Sequence, residues 1–186
     1  MRLIELTRQV SGRRNCYVLG DFGILKLMFL DEMSDKVHEF KIDGKQGFIH
    51  IELNEVYGFP NETSYLGGYD VKGKIDIKSG NYYVNGELWF STGQVFEFYT
   101  QLQKCYRELK GKATFSNSET TLKLELDFNK LGQIVIQGYF QELASEENIL
   151  QFEFESDQSY LESTLQELKK IVDHYGGLKG ASFFSS

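Results

Sequence analysis

The chain has 186 residues, 41% hydrophobic and 15% aromatic, with one proline and eighteen glycines. That length fits a single domain, and that composition excludes a disordered or low-complexity chain, because enough apolar side chain is present to build a sizeable core. A net charge of −7 argues against nucleic acid as a direct ligand, since phosphates would be repelled.

In chain order, the opening residues Met1 to Arg8 begin with a basic residue, but Glu5 and Arg8 interrupt the apolar ones too early for a secretory signal. No later segment has the apolar length that a bilayer span needs, so no membrane association is expected. Cys16 and Cys105 are far apart and lack metal-type spacing, which argues against a disulfide framework and points to the cytoplasm. The acceptor triplet Asn61-Glu62-Thr63 therefore carries little weight.

Residues 23–30, 37–42 and 48–53 read as strands, the last two joined by a turn at Asp43-Gly44. Residues 57–68 read as a loop between these N-terminal strands and the rest. Residues 70–77 and 82–90 read as a hairpin across residues 78–81.

The period then changes. Val95, Phe98, Tyr99, Leu102, Cys105, Tyr106 and Leu109 recur at three- and four-residue steps, which predicts a helix over residues 94–110. Ser91 or Thr92 can cap its start and Gly111 can end it. Alternation of apolar and polar residues resumes in 113–116, 122–128, 133–141 and 150–155, as in an antiparallel meander with one wet face. A second helix is predicted over 158–175, with Asp157 as cap, Gly176-Gly177 as stop, and a stripe of Leu161, Leu165, Leu168, Ile171, Val172 and Tyr175. Residues 179–186 read as a tail.

The order strands, helix, strands, helix predicts an α+β fold: a mainly antiparallel sheet with two amphipathic helices packed on one face. Residues 1–178 are expected to form one domain, comprising N-terminal strands (1–56), the loop (57–68) and a sheet-and-helix part (69–178).

No phosphate loop, dinucleotide fingerprint or paired-histidine zinc helix is present, and no catalytic residue, cofactor or metal is predicted. His38 shares a strand face with Phe40 and Ile42, whereas Ile49, Ile51 and Leu53 lie opposite His50, so the two imidazoles should point to opposite sides. His174 reads as a surface residue near a helix C-terminus.

Charge is unevenly spread. Residues 131–168 contain no Lys or Arg but carry Glu142, Glu146, Glu147, Glu153, Glu155, Asp157, Glu162 and Glu167. Alternation puts Glu153 and Glu155 on the wet face of the sheet, where Glu125, Asp127 and Tyr139 can join them. These five are the predicted partner-binding residues, on a surface suited to a basic protein. The bland reading is a solvated face that keeps an acidic protein soluble.

The hairpin ending in Gly86-Glu87-Leu88-Trp89-Phe90-Ser91-Thr92, the helix entry Val95-Phe96-Glu97-Phe98-Tyr99, and the strand Phe152-Glu153-Phe154-Glu155 leading into Asp157-Gln158-Ser159-Tyr160 resemble the immunity proteins of the WapI type over roughly residues 69–176. The resemblance implies a cytoplasmic, non-enzymatic inhibitor that occludes a cognate bacterial toxin domain; the acidic face fits a basic toxin surface, and a monomer or weak dimer is expected. The competing readings are a small-ligand protein or enzyme with a pocket near residues 57–68, and an assembly subunit using a sheet edge.

Overall fold

A computed structural model describes residues 8–10, 13–15, 38–129 and 132–179. The strand expected at residues 23–30 and the tail beyond residue 179 lie outside them. At the N-terminus, β1 (Arg8–Val10) pairs antiparallel with β2 (Arg13–Asn15). The chain divides into two compact units, 1–36 and 37–186, and among the described residues the second holds both helices and the other eight strands.

Those eight strands form two antiparallel four-stranded sheets. The first has the order β3-β4-β5-β6, from β3 (His38–Asp43), β4 (Gly47–Val56), β5 (Asp70–Ser79) and β6 (Tyr82–Ser91). The second has the order β10-β9-β8-β7, from β7 (Gly111–Ser116), β8 (Leu122–Phe128), β9 (Gln133–Gln141) and β10 (Ile149–Asp157). Helices α1 (Thr92–Glu108) and α2 (Gln158–Tyr175) follow β6 and β10. The α+β class and the element order are those read from the sequence. The strands, however, divide between two sheets, because each sheet carries its own apolar face.

Those faces meet. Phe40, Ile42, Ile49, Ile51, Ile75 and Ile77 of the first sheet and Leu122, Leu124, Leu126, Ile134 and Ile136 of the second are fully buried in one cluster, with Val95, Phe98 and Leu102 of α1 and Leu161 and Leu168 of α2. Phe115 sits at the junction, its ring centroid 6.2 Å from Phe40, 5.9 Å from Phe90 and 5.7 Å from Phe98. Gly86 leaves room for the ring of Phe140 across the core, where a Cβ would come within 2.6 Å of it.

The helices also complete the sheet edges. An edge strand exposes unpaired backbone groups. On β3, the Lys41 amide donates to the Glu167 carboxylate of α2 at 2.9 Å, and the Thr164 hydroxyl donates to the Lys41 carbonyl. On β7, the Thr114 amide donates to the Gln101 side chain of α1 at 3.0 Å, and Gln94 donates to the Ser116 carbonyl at 3.0 Å. The β10 edge is met by the first sheet: the Lys45 amide donates to the Glu155 carbonyl at 2.8 Å and the Ser79 hydroxyl to the Glu153 carbonyl at 3.1 Å.

Helix ends follow the sequence signals. Ser91 caps α1 in a capping box with Gln94, and Asp157 caps α2 by accepting from the Ser159 amide. Leu109, in left-handed conformation, ends α1 just ahead of the predicted glycine stop, so that Gly111 already opens β7. Cys105 is buried, and burial raises its thiol above the usual range.

Residues 57–68 pack into this unit. Phe59 lies 5.0 Å from Tyr69, 5.1 Å from Tyr175 and 5.3 Å from His174. Gly68 donates to the Lys179 carbonyl at 2.8 Å, and the Tyr69 amide to the Thr92 hydroxyl at 2.9 Å. The segment thus ties both helices to the first sheet.

Because Phe115 holds both sheets and α1, Phe115→Ala should lower unfolding free energy by about 3–5 kcal/mol, read as a shifted midpoint in urea denaturation. A loss below about 1 kcal/mol would show that the junction collapses around the cavity.

Candidate interaction site

Strand alternation leaves each sheet with a polar outer face, and on the second sheet it gathers all five predicted residues. Three adjacent cross-strand rows run from β8 to β10: Lys123, Tyr139 and Gln151; Glu125, Gln137 and Glu153; and Asp127, Val135 and Glu155. Lys112 stands opposite Asp127 on β7. An open groove of about 470 Å³ runs across the first two rows, lined by Lys123, Glu125, Gln137, Tyr139, Gln151 and Glu153 among others.

The electrostatics differ from a uniformly acidic face. Glu125 pairs with Lys112 at 3.4 Å and Lys123 at 3.3 Å and accepts from Gln137 at 3.3 Å. Asp127 pairs with Lys112 at 3.7 Å, and Glu155 with Lys45 at 2.9 Å. Among the described residues, Glu153 has no ion pair. Burial pushes the Glu125 carboxyl up, but the hydrogen bond from Lys123 and the charges of Lys112 and Lys123 outweigh it, and its pKa lies below the ordinary value. Tyr139 is half-buried and donates to the Thr120 carbonyl at 3.1 Å.

Sequence reasoning finds the carboxylates and Tyr139 but misses Lys112, Lys123 and Gln137. Lys123 and Glu125 share a face of β8, so that pair is legible from alternation; the Lys112 and Lys45 pairs are not, because they depend on the β7–β8 register and on the meeting of the two sheets. Two other aromatic features also need the third dimension. Tyr57 and Trp89 stack at 5.8 Å, both partly exposed. His174, exposed as expected, lies 4.8 Å from His38 between Phe59 and Tyr175. His38 and His50 lie on opposite faces of the first sheet, as alternation requires.

Fold and surface together define a two-sheet α+β protein that presents a flat, polar, rigidly backed sheet face. The sequence matches the immunity protein WapI-like family over residues 40–176, and the chain belongs to that family. The match begins in β3, so it takes in the first sheet as well as the part from residue 69 onward that carries the resemblance. Comparison with curated proteins and with solved structures finds no match. Among the described residues, no helix is long and apolar enough to cross a membrane.

The lysine cage around Glu125 has a direct consequence. Its lowered pKa contributes stability that is present above the unfolded-state value and lost as pH falls through the folded-state one. Replacing both Lys112 and Lys123 with Met should remove the two cations that oppose burial, so the Glu125 carboxyl should titrate at higher pH. Carboxyl-carbon NMR across the acid range reads this directly; an unmoved titration would mean that the lysines do not hold the charge.

Proposed function

We propose that this protein binds a cognate bacterial toxin domain in the cytoplasm and neutralises it by occlusion, one to one and without catalysis, through the outer face of the second sheet. Membership of the immunity family carries the reading, since it implies a toxin as partner. The face supports it physically. Its residues stand on regular strands backed by the core, so little conformational entropy is lost on docking. Glu125, Asp127, Tyr139, Glu153 and Glu155 are its contact residues.

The ion pairs refine the expected chemistry. Lys45, Lys112 and Lys123 already offset most of the local negative charge, so a basic toxin surface would exchange partners with these lysines while meeting Glu153 directly. Such exchange favours specificity and encounter rate over raw affinity. Half-buried Tyr139 beside the groove supplies the kind of aromatic anchor on which interfaces depend.

Coexpression with the toxin domain encoded nearest the gene should restore growth and yield a complex that copurifies. The double reversal Glu153→Lys with Glu155→Lys should slow association roughly tenfold at low salt, with thermal stability nearly unchanged, because both side chains are exposed. Stopped-flow binding at two ionic strengths measures this. An association rate insensitive to both the reversal and salt would remove the second-sheet face from the interface, whereas no rescue by any neighbouring toxin would defeat the immunity reading itself.

A further inference from the structure

On the outer face of the first sheet, three carboxylates surround one imidazole. Glu39 of β3 and Glu52 of β4 are directly opposite each other in the register, and His50 precedes Glu52 by two residues on the same face. Asp76 of β5 stands opposite His50. Like charges directly across a ladder destabilise a sheet, and the nearby lysines form no ion pair that relieves them. Lys41, opposite His50, turns instead to Asp43 at 2.8 Å and to the Phe48 ring. Lys72 pairs with Glu87, and Lys74, opposite Glu52 in the register, is exposed. Among the described residues, Glu39, Glu52 and Asp76 have no Lys or Arg ion pair, although carboxylates on the second sheet are mostly paired.

The geometry is that of a coordination site. The His50 Nε2 lies 3.1 Å from the Glu39 carboxylate, close to the separation of about 3.3 Å expected between two ligands each about 2.0–2.1 Å from one tetrahedral ion. Ligand atoms of Glu39, His50 and Glu52 all lie within 4.8 Å of one another; the Glu52 carboxylate stands 3.8 Å from Nδ1, so closing the set at Nε2 requires it to swing toward Glu39. Nδ1 faces both Asp76 Oδ2 at 3.7 Å and Glu52 Oε1 at 3.8 Å, and the turn of Glu52 toward Nε2 would leave Nδ1 to Asp76. The other Asp76 oxygen is held by the Tyr83 hydroxyl at 2.6 Å and the Asn85 amide at 2.8 Å. A carboxylate fixed by its own donors beside the far nitrogen of a histidine needs only a shift of under about 1 Å to make the outer-shell hydrogen bond that sets the tautomer and orientation of a metal-bound imidazole.

We propose that Glu39, His50 and Glu52 bind a divalent cation of the Zn²⁺ class on the outer face of the first sheet, with Asp76 orienting His50. One nitrogen and two oxygens suit a borderline ion better than Ca²⁺ or Mg²⁺, which take oxygen ligands. Three ligands leave a further position for water. The site is independent of the toxin-binding reading, since it lies on the other sheet.

Isothermal titration of the full, EDTA-treated chain with ZnCl₂ tests this. One ion should bind per chain. His50→Ala and the pair Glu39→Gln with Glu52→Gln should abolish binding, and Asp76→Asn should weaken it by about tenfold or more. His174→Ala should leave it unchanged, which separates this site from the His38–His174 pair. In the wild-type chain, the His50 ring resonances should move on zinc addition while those of His38 and His174 stay, a readout that does not depend on any variant folding. Absence of binding, binding that survives His50→Ala, or ring shifts confined to His38 and His174 would each overturn the proposal.

Discussion

Each sheet has a single apolar face, and that constraint organises the molecule. A strand with period-two patterning cannot bury both sides, so the apolar faces must find each other. Phe40, Phe90, Phe98 and Phe115 form the aromatic junction where sheet, sheet and helix meet. Once the inner faces are joined, both outer faces are committed to water or to partners. The polar groove of the second sheet and the His50 cluster of the first are two results of this one packing decision.

Much of this is legible in the residues. Periodicity locates both helices and the strands from β3 onward, and cap residues fix helix starts to within two residues. Single residues narrow finer points: Ser91, one of the two caps the sequence offers, caps a helix that enters at Thr92, and Asp157 marks the turn from β10 into α2. The division into two sheets is not legible, because alternation tells which side of a strand is apolar but not which strands share a ladder. The same limit hides the link from Lys112 to Glu125. Lys112 and Lys123 are plain in the sequence, yet only the pairing of β7 with β8 brings Lys112 opposite Asp127.

The loop at residues 57–68 escapes sequence reasoning for a different reason. Its glycines and single proline read as punctuation, and punctuation reads as a boundary. In the fold it is a clasp: Phe59 enters an aromatic group with Tyr69, His174 and Tyr175, and Gly68 reaches past the end of α2 to Lys179. Composition identifies the lack of regular structure correctly but does not say what the irregular backbone holds.

The contact between β10 and the first sheet has a further bearing. Carbonyls of Glu153 and Glu155, which would otherwise project sideways from the margin of a meander, are already taken by Ser79 and Lys45. A foreign extended segment meeting this margin finds those acceptors occupied. That margin of the second sheet therefore offers a strand-pairing template interrupted at two successive acceptors, whereas the plane of the sheet keeps its side chains open to solvent.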